Sequence, residues 1–241
     1  MDPSLQHRSS ENSSDVRYTT LLSFNDENTQ YQSSESEDPE DYRVGGYHAV
    51  RVGEAFCEGR YRALRKLGWG HFSTVWLCYD EVADMHVAIK FQKSAFHYAE
   101  AARDEIKLLT ELRRQDPERR AYVVQLLNHF EFRGVHGTHV CLVFEVLGKS
   151  LLSFIKRCNF RGCDMGLVKI IAYHVLSGLD YIHRKCRIIH TDVKPENILF
   201  IPTKNDYERL RLATKHAAAI MKAKQERGVQ QRKTMTKRDR G

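Results

Sequence analysis

From residue 61 onward, apolar and polar positions alternate in short runs, the period-two pattern of half-buried strands. The runs cover residues 61–68, 73–79, 86–91, 125–132 and 138–145, and five strands of that size predict one antiparallel sheet. Between the third and fourth, over 97–113, the period lengthens: Tyr98, Ala102, Ile106, Leu109 and Leu112 recur at spacings of three and four, the stripe of an amphipathic helix. After Glu145 the helical period persists. Val168, Ile171, Ala172, Val175, Leu179 and Ile182 trace one face of a long helix over 167–183, which a basic turn ends. Residues 206–227 again read as helix, with bases all round it. Residues 1–42 show no period and few aliphatics, so they cannot bury enough apolar surface to offset the entropy of ordering.

These runs predict an α+β architecture in four parts: an acidic Ser-rich leader (1–42), a small sheet lobe with an N-terminal extension (43–148), a helical lobe (149–202) and a basic tail (203–241). With 41% hydrophobic residues in 241, there is material for one sizeable core or two small ones. The net charge of +7 hides an asymmetry, because residues 1–42 hold ten acids against two bases and residues 203–241 twelve bases against four acids. No aromatics are interleaved with the basic excess, so direct nucleic-acid binding is not expected. Serines beside acids at 33–38 could accept phosphate from an acid-directed kinase, though a solubilising tail is the simpler reading. The unbroken apolar runs are short, which predicts no transmembrane segment, and no secretory signal is evident. A monomer of the cytoplasm and nucleus is expected. Six cysteines without a Cys-x-x-Cys pair read as reduced, mostly buried thiols.

Three constellations carry chemistry. Leu67-Gly68-Trp69-Gly70-His71-Phe72-Ser73-Thr74-Val75 sets glycines in a turn between two strands, where a backbone without Cβ can approach phosphate oxygens. An ordinary hairpin turn would look similar, but a dinucleotide fingerprint would lead into a helix, and here a strand follows. In Val87-Ala88-Ile89-Lys90 the alternation puts Ala88 and Lys90 on one face. A lysine there suits an anion, the alternative being a solvated edge-strand lysine. Glu105, on the apolar side of the following helix, is its obvious counter-ion. The third is His190-Thr191-Asp192-Val193-Lys194-Pro195-Glu196-Asn197: Asp192 can accept a hydroxyl proton, Lys194 can neutralise a transferring phosphoryl group and Asn197 can hold magnesium.

With these motifs in this order, the chain resembles the eukaryotic protein kinases, which implies an α+β, bilobal protein kinase-like fold with a complete small lobe and an incomplete helical large lobe. Gly45-Gly46-Tyr47-His48, Leu67 to Leu77 and Phe144-Glu145-Val146-Leu147-Gly148 bring it closer to the SR protein kinases, which phosphorylate serines in the Arg-Ser repeats of splicing factors. The resemblance runs from about Asp38 to Phe200. It implies ATP and Mg2+ as cofactors, ATP phosphates under Gly68 to Ser73 and on Lys90, and adenine between Leu67, Val75 and Ala88. It further implies adenine hydrogen bonds from the backbones of Glu145 and Leu147, Asp192 as catalytic base with Lys194, a metal ligand in Asn197, and Arg-Ser-rich splicing factors as substrates. The neighbouring dual-specificity kinases share His-Thr-Asp, but Trp69-Gly70-His71-Phe72 speaks against them.

Two departures from the general kinase pattern bear on function. Thr191 stands where many kinases carry an arginine that grips a phosphorylated activation loop, implying activity without that phosphate. After Asn197 the aspartates are Asp206 and Asp239, and neither begins an Asp-Phe-Gly or Asp-Leu-Gly, so the principal magnesium ligand is missing. The resemblance thus implies a chain truncated inside a spacer, with the stripe from Val168 to Ile182 short of cover. The competing reading is a catalytically inactive ATP-binding or interaction protein.

Overall fold

The computed structural model describes residues 37–212, together with 214, 215, 218, 219 and 222. Six strands form one antiparallel sheet: β1 (Ala55–Phe56), β2 (Tyr61–Gly70), β3 (Ser73–Asp80), β4 (Met85–Gln92), β5 (Leu126–Gly134) and β6 (Gly137–Phe144), in the order β1-β2-β3-β4-β6-β5. The sixth, absent from the five-strand expectation, is the two-residue β1, too short to show a period. Helix α1 (Phe96–Gln115) follows β4, and α2 (Leu151–Arg157) and α3 (Met165–Asp180) follow the sheet.

The alternation in β4 does what its pattern requires. Val87, Ile89 and Phe91 enter a buried cluster with Phe56, Tyr61, Cys78, Cys141 and Val143, while Ala88 and Lys90 take the other face. Strand β6 is buried on both sides, since its Val140 and Leu142 pack with Leu126 against Ala99 and Ala102 of α1. Pairing shifts by one residue at Leu64 and at Leu67 of β2. The second bulge interrupts the ladder just ahead of Gly68. Of the six free thiols, Cys78 and Cys141 are buried and Cys163 is exposed, so fewer are covered than expected.

Residues 37–42, assigned to the leader by composition, are part of the folded lobe. Asp38 caps a 3-10 turn over Pro39–Asp41, Glu37 pairs with Lys66 of β2 and accepts the Tyr42 hydroxyl at 2.5 Å. The segment continues as a strap through Gly45 and Gly46, whose carbonyls accept Ala95 N–H and Ser94 N–H. A Cβ on Gly46 would lie 1.9 Å from the Asp41 carbonyl oxygen. Gly46→Ala is therefore expected to destabilise the lobe by about 2–3 kcal/mol, lowering the melting temperature by roughly 4–10 °C; an unchanged melting curve would show that the strap is not seated here. Residues 1–36, with the serines at 33–36, lie outside the described residues.

Asp164 caps α3 by accepting the Gly166 and Leu167 N–H groups. The helix runs into a π turn (Tyr181–Lys185), and together they form a 21-residue helix long and apolar enough, by length and composition, to cross a membrane. The expectation of no such stretch is corrected: Lys169, His174 and Asp180 interrupt the runs without bringing down the average. In this fold the helix docks on the sheet lobe. Gly178 lies under Ala121 to Val123, Tyr122 stacks on His174, the Tyr181 hydroxyl donates to the Leu112 carbonyl and Lys185 donates to that of Gln115. The covered side carries Leu167, Gly178 and Ile182, while Met165, Val168, Ile170, Tyr173 and Leu176 are exposed. Of the stripe read from the sequence, Ile182 is thus buried and Val168 is exposed.

Residues 204–212 are helical, beginning slightly earlier than expected. Thr203 and Asp206 form a reciprocal capping box, and Leu210, 3% exposed, packs on Leu64, Leu77 and Val146. The tail beyond 222 lies outside the described residues.

Candidate active site

The glycine-rich turn is the β2–β3 hairpin, with Gly70 opposite Ser73 and His71 and Phe72 between them. Neither Gly68 nor Gly70 has a left-handed φ, and a Cβ on either would meet nothing within 4 Å. Among the described residues nothing crowds these positions, so the backbone at Gly68 and Gly70 is open to close approach. Around that space Leu67, Trp69 and Phe72 are exposed, Val75 is half-buried, and Thr74 and Ser73 are buried.

Val75 pairs with Lys90, and Leu77 with Ala88, so these four share one face of the sheet. On that face the Lys90 ammonium donates to both Glu105 carboxylate oxygens of α1, at 2.8 Å each. Gln92 adds a longer contact to the same carboxylate. Glu105 is less enclosed than its place on the apolar stripe suggested, its side chain being 36% exposed, so Lys90 is bound yet open to a second anion.

The hinge follows β6. The Glu145 side chain accepts the Gln125 N–H, and the Glu145 N–H reaches the Gln125 carbonyl. Among the described residues no backbone hydrogen bond takes the Glu145 carbonyl or the Leu147 N–H, which leaves an acceptor and a donor two residues apart. Gly148 then makes a close approach: its N–H donates to the Phe200 carbonyl at 2.7 Å, where a Cβ would sit 2.9 Å from the same oxygen. The Leu151 N–H on the Ile198 carbonyl and the Phe154–Phe200 ring contact complete the junction. In this way the segment after Asn197 is tied to the hinge, and the loop of 190–197 hangs from it.

Within that loop the three predicted residues fold onto one another. Lys194 pairs with the Asp192 carboxylate at 2.8 Å, and the Asn197 amide donates to the same carboxylate at 2.9 Å and to the Asp192 carbonyl. Pro195 opens the 3-10 turn that carries Asn197 back, and Thr191 takes a left-handed φ of 61° that turns the chain into Asp192. The Lys194 hydrogen bond, and after it that of Asn197, holds the Asp192 carboxyl below the usual carboxylate range, while Lys194 is raised in return. The arrangement is an exposed, ionised carboxylate with an ammonium beside it, able to accept a hydroxyl proton and to meet phosphate charge. A magnesium ion is less well provided for. Among the described residues no group of three His, Cys, Asp or Glu side chains could hold a metal, and Asp206 is spent on the Thr203 cap. The described residues do not make up a metal site.

Sequence reasoning missed the strap's part in this site. The Tyr47 hydroxyl donates to the Gly70 carbonyl at 2.7 Å. The signal was Gly45-Gly46-Tyr47-His48, conspicuous as a motif but silent about what it touches.

The protein kinase domain family matches residues 61–236. The chain is 56% identical over 167 residues to SRSF protein kinase 3 of Homo sapiens, covering 68% of this chain and 29% of that protein. It is 53% identical over 165 residues to protein kinase dsk1 of Schizosaccharomyces pombe, covering 68% and 30%, and 50% identical over 190 residues to serine/threonine-protein kinase spk-1 of Caenorhabditis elegans, covering 78% and 18%. The chain thus spans less than a third of the length of these relatives. A hairpin with unforced glycines, a Lys–Glu pair on the sheet face beneath it and a conjoined Asp, Lys and Asn on a hinge-tethered loop agree with that match, and the chain belongs to the protein kinase family, among the SR protein kinases.

Proposed function

We propose that the chain binds ATP between the Gly68–Ser73 turn and the hinge, and that it serves the transfer of the γ-phosphate to serines in Arg-Ser-rich splicing factors. The observation that carries this reading is the Lys90–Glu105 pair, formed at 2.8 Å on the face that Val75 and Ala88 share. Lys90 would take the nucleotide phosphates, with Leu67, Val75 and Ala88 enclosing the adenine and the Glu145 carbonyl and Leu147 N–H meeting its edge. Asp192 would accept the serine hydroxyl proton as the oxygen attacks, and Lys194 would balance charge on the phosphoryl group. The substrate class is argued from the names of the relatives, SRSF protein kinase among them.

A second reading, a nucleotide-binding protein with little transfer, is favoured by the shortage of metal-ligating carboxylates beside Asp192 among the described residues. Radiolabelled ATP and an Arg-Ser peptide separate the two. Phosphoserine that accumulates with turnover supports the kinase reading, whereas ATP binding without incorporation supports the second. An Arg-Ser peptide labelled no faster than a Lys-Ser peptide would refute the substrate class.

A further inference from the structure

The strap over residues 37–48 is absent from any account of the site that runs from the glycine turn to the catalytic loop, yet it reaches the turn directly. The Tyr47 hydroxyl donates to the Gly70 carbonyl at 2.7 Å, and the backbone N–H of Lys93 donates to the Phe72 carbonyl at 2.9 Å. These two carbonyls bracket the turn. Because a peptide group is planar, fixing each carbonyl also fixes the N–H in the same plane, that of His71 in one case and of Ser73 in the other. The remaining restraints on the turn are the hairpin ladder, which pairs Gly70 with Ser73 and Ser73 with Gln92, and the Phe72–Tyr98 ring contact. His71 and Phe72 are exposed, and Gly68 and Gly70 have nothing within reach of a Cβ.

The two anchors belong to one assembly. Lys93 is buried, its ammonium pairs with Asp41 at 3.0 Å and lies 4.5 Å from the centroid of the Tyr47 ring. Tyr47 itself is 1% exposed, its N–H held by the Asp41 carbonyl and its carbonyl in contact with His136 Nδ1 at 2.7 Å. The hydroxyl is thus presented from a fixed ring, and burial, with Asp41 next, pushes the phenol up to about 12, so it remains a donor at neutral pH. A tyrosine needed only for packing could leave its hydroxyl in water. This one spends it on the backbone of the glycine turn.

We propose that the strap is a positioning element of the nucleotide site, with Tyr47 and Lys93 holding the glycine-rich turn at both ends so that its N–H groups are set for phosphate. This rests on the nucleotide reading above. A role confined to the turn acts on the phosphates and not on the nucleoside, and that asymmetry is the test. Isothermal titration of the full chain with Mg-ATP and, separately, with adenosine is compared with Tyr47→Phe, which keeps the ring and removes the donor. ATP binding is expected to weaken about fivefold, the net worth of one hydrogen bond, with adenosine affinity unchanged. Asp41→Asn, which loosens Lys93 without touching the turn, should shift ATP in the same direction by less, and serves alone if the first variant does not fold. Equal losses for ATP and adenosine, or no loss for ATP, would overturn the proposal. Failure of the unaltered chain to bind ATP would remove the nucleotide reading itself, and this role with it.

Discussion

Lys90→Ala should abolish most of the thermal stabilisation that Mg-ATP confers on this chain. At a nucleotide concentration about a hundred times the dissociation constant, binding stabilises the folded state by about 2.7 kcal/mol, which for a chain of this size raises the melting temperature by roughly 5–10 °C. Removing a charge-assisted contact to phosphate is expected to weaken binding about a hundredfold, reducing the shift at the same concentration to roughly 1 °C. The unliganded variant should melt close to the parent, because the Glu105 carboxylate left behind is over a third exposed and can be hydrated. A full ATP shift in Lys90→Ala would remove the assignment of that lysine.

The second large effect concerns Asp192. Whatever rate of transfer to an Arg-Ser peptide the chain supports, Asp192→Ala should lower it at least about a hundredfold, as befits loss of a general base, with ATP affinity little changed. The pH profile gives an independent check. The hydrogen bond from Lys194, and then that from Asn197, lowers the carboxyl below its ordinary range. The base is therefore ionised at neutral pH and stays so on mild acidification, and kcat/KM should begin to fall only below the usual carboxylate pKa. Lys194→Ala should move that limb upward. Transfer that survives Asp192→Ala would place the base elsewhere.

How much could be read in advance depended on whether a residue's partner was local. The strands from Tyr61 to Gln92 showed their faces because Val87, Ile89 and Phe91 alternate with Ala88 and Lys90, and the ladder needs nothing further to be inferred. Lys90 and Glu105 were legible as a pair for the same reason, one face of a strand meeting one face of the next helix. The strap was not. Glu37, Asp38, Glu40 and Asp41 have the composition of a solvated tail, and what draws them in is Lys66 and Lys93, tens of residues away. Helix α3 misled in another way: it is apolar over more than half its circumference, so periodicity could not select the covered arc. Gly178 selects it, by letting Ala121 and Tyr122 come close, and a single small residue leaves no periodic trace. In the basic segment after Pro202, Leu210 was one apolar residue among charges, and the Thr203–Asp206 capping box that starts the helix before residue 206 was not read from the sequence.

The Lys90–Glu105 contact has a consequence for control. Many molecular switches work by keeping the competent arrangement scarce, so that apparent affinity is the intrinsic value divided by the fraction of molecules ready to bind. Here α1 stands with Glu105 on Lys90, and Thr191 offers no guanidinium for a regulatory phosphate to pull on. With α1 in this position, a signal that swings it inward has no Lys–Glu contact left to form.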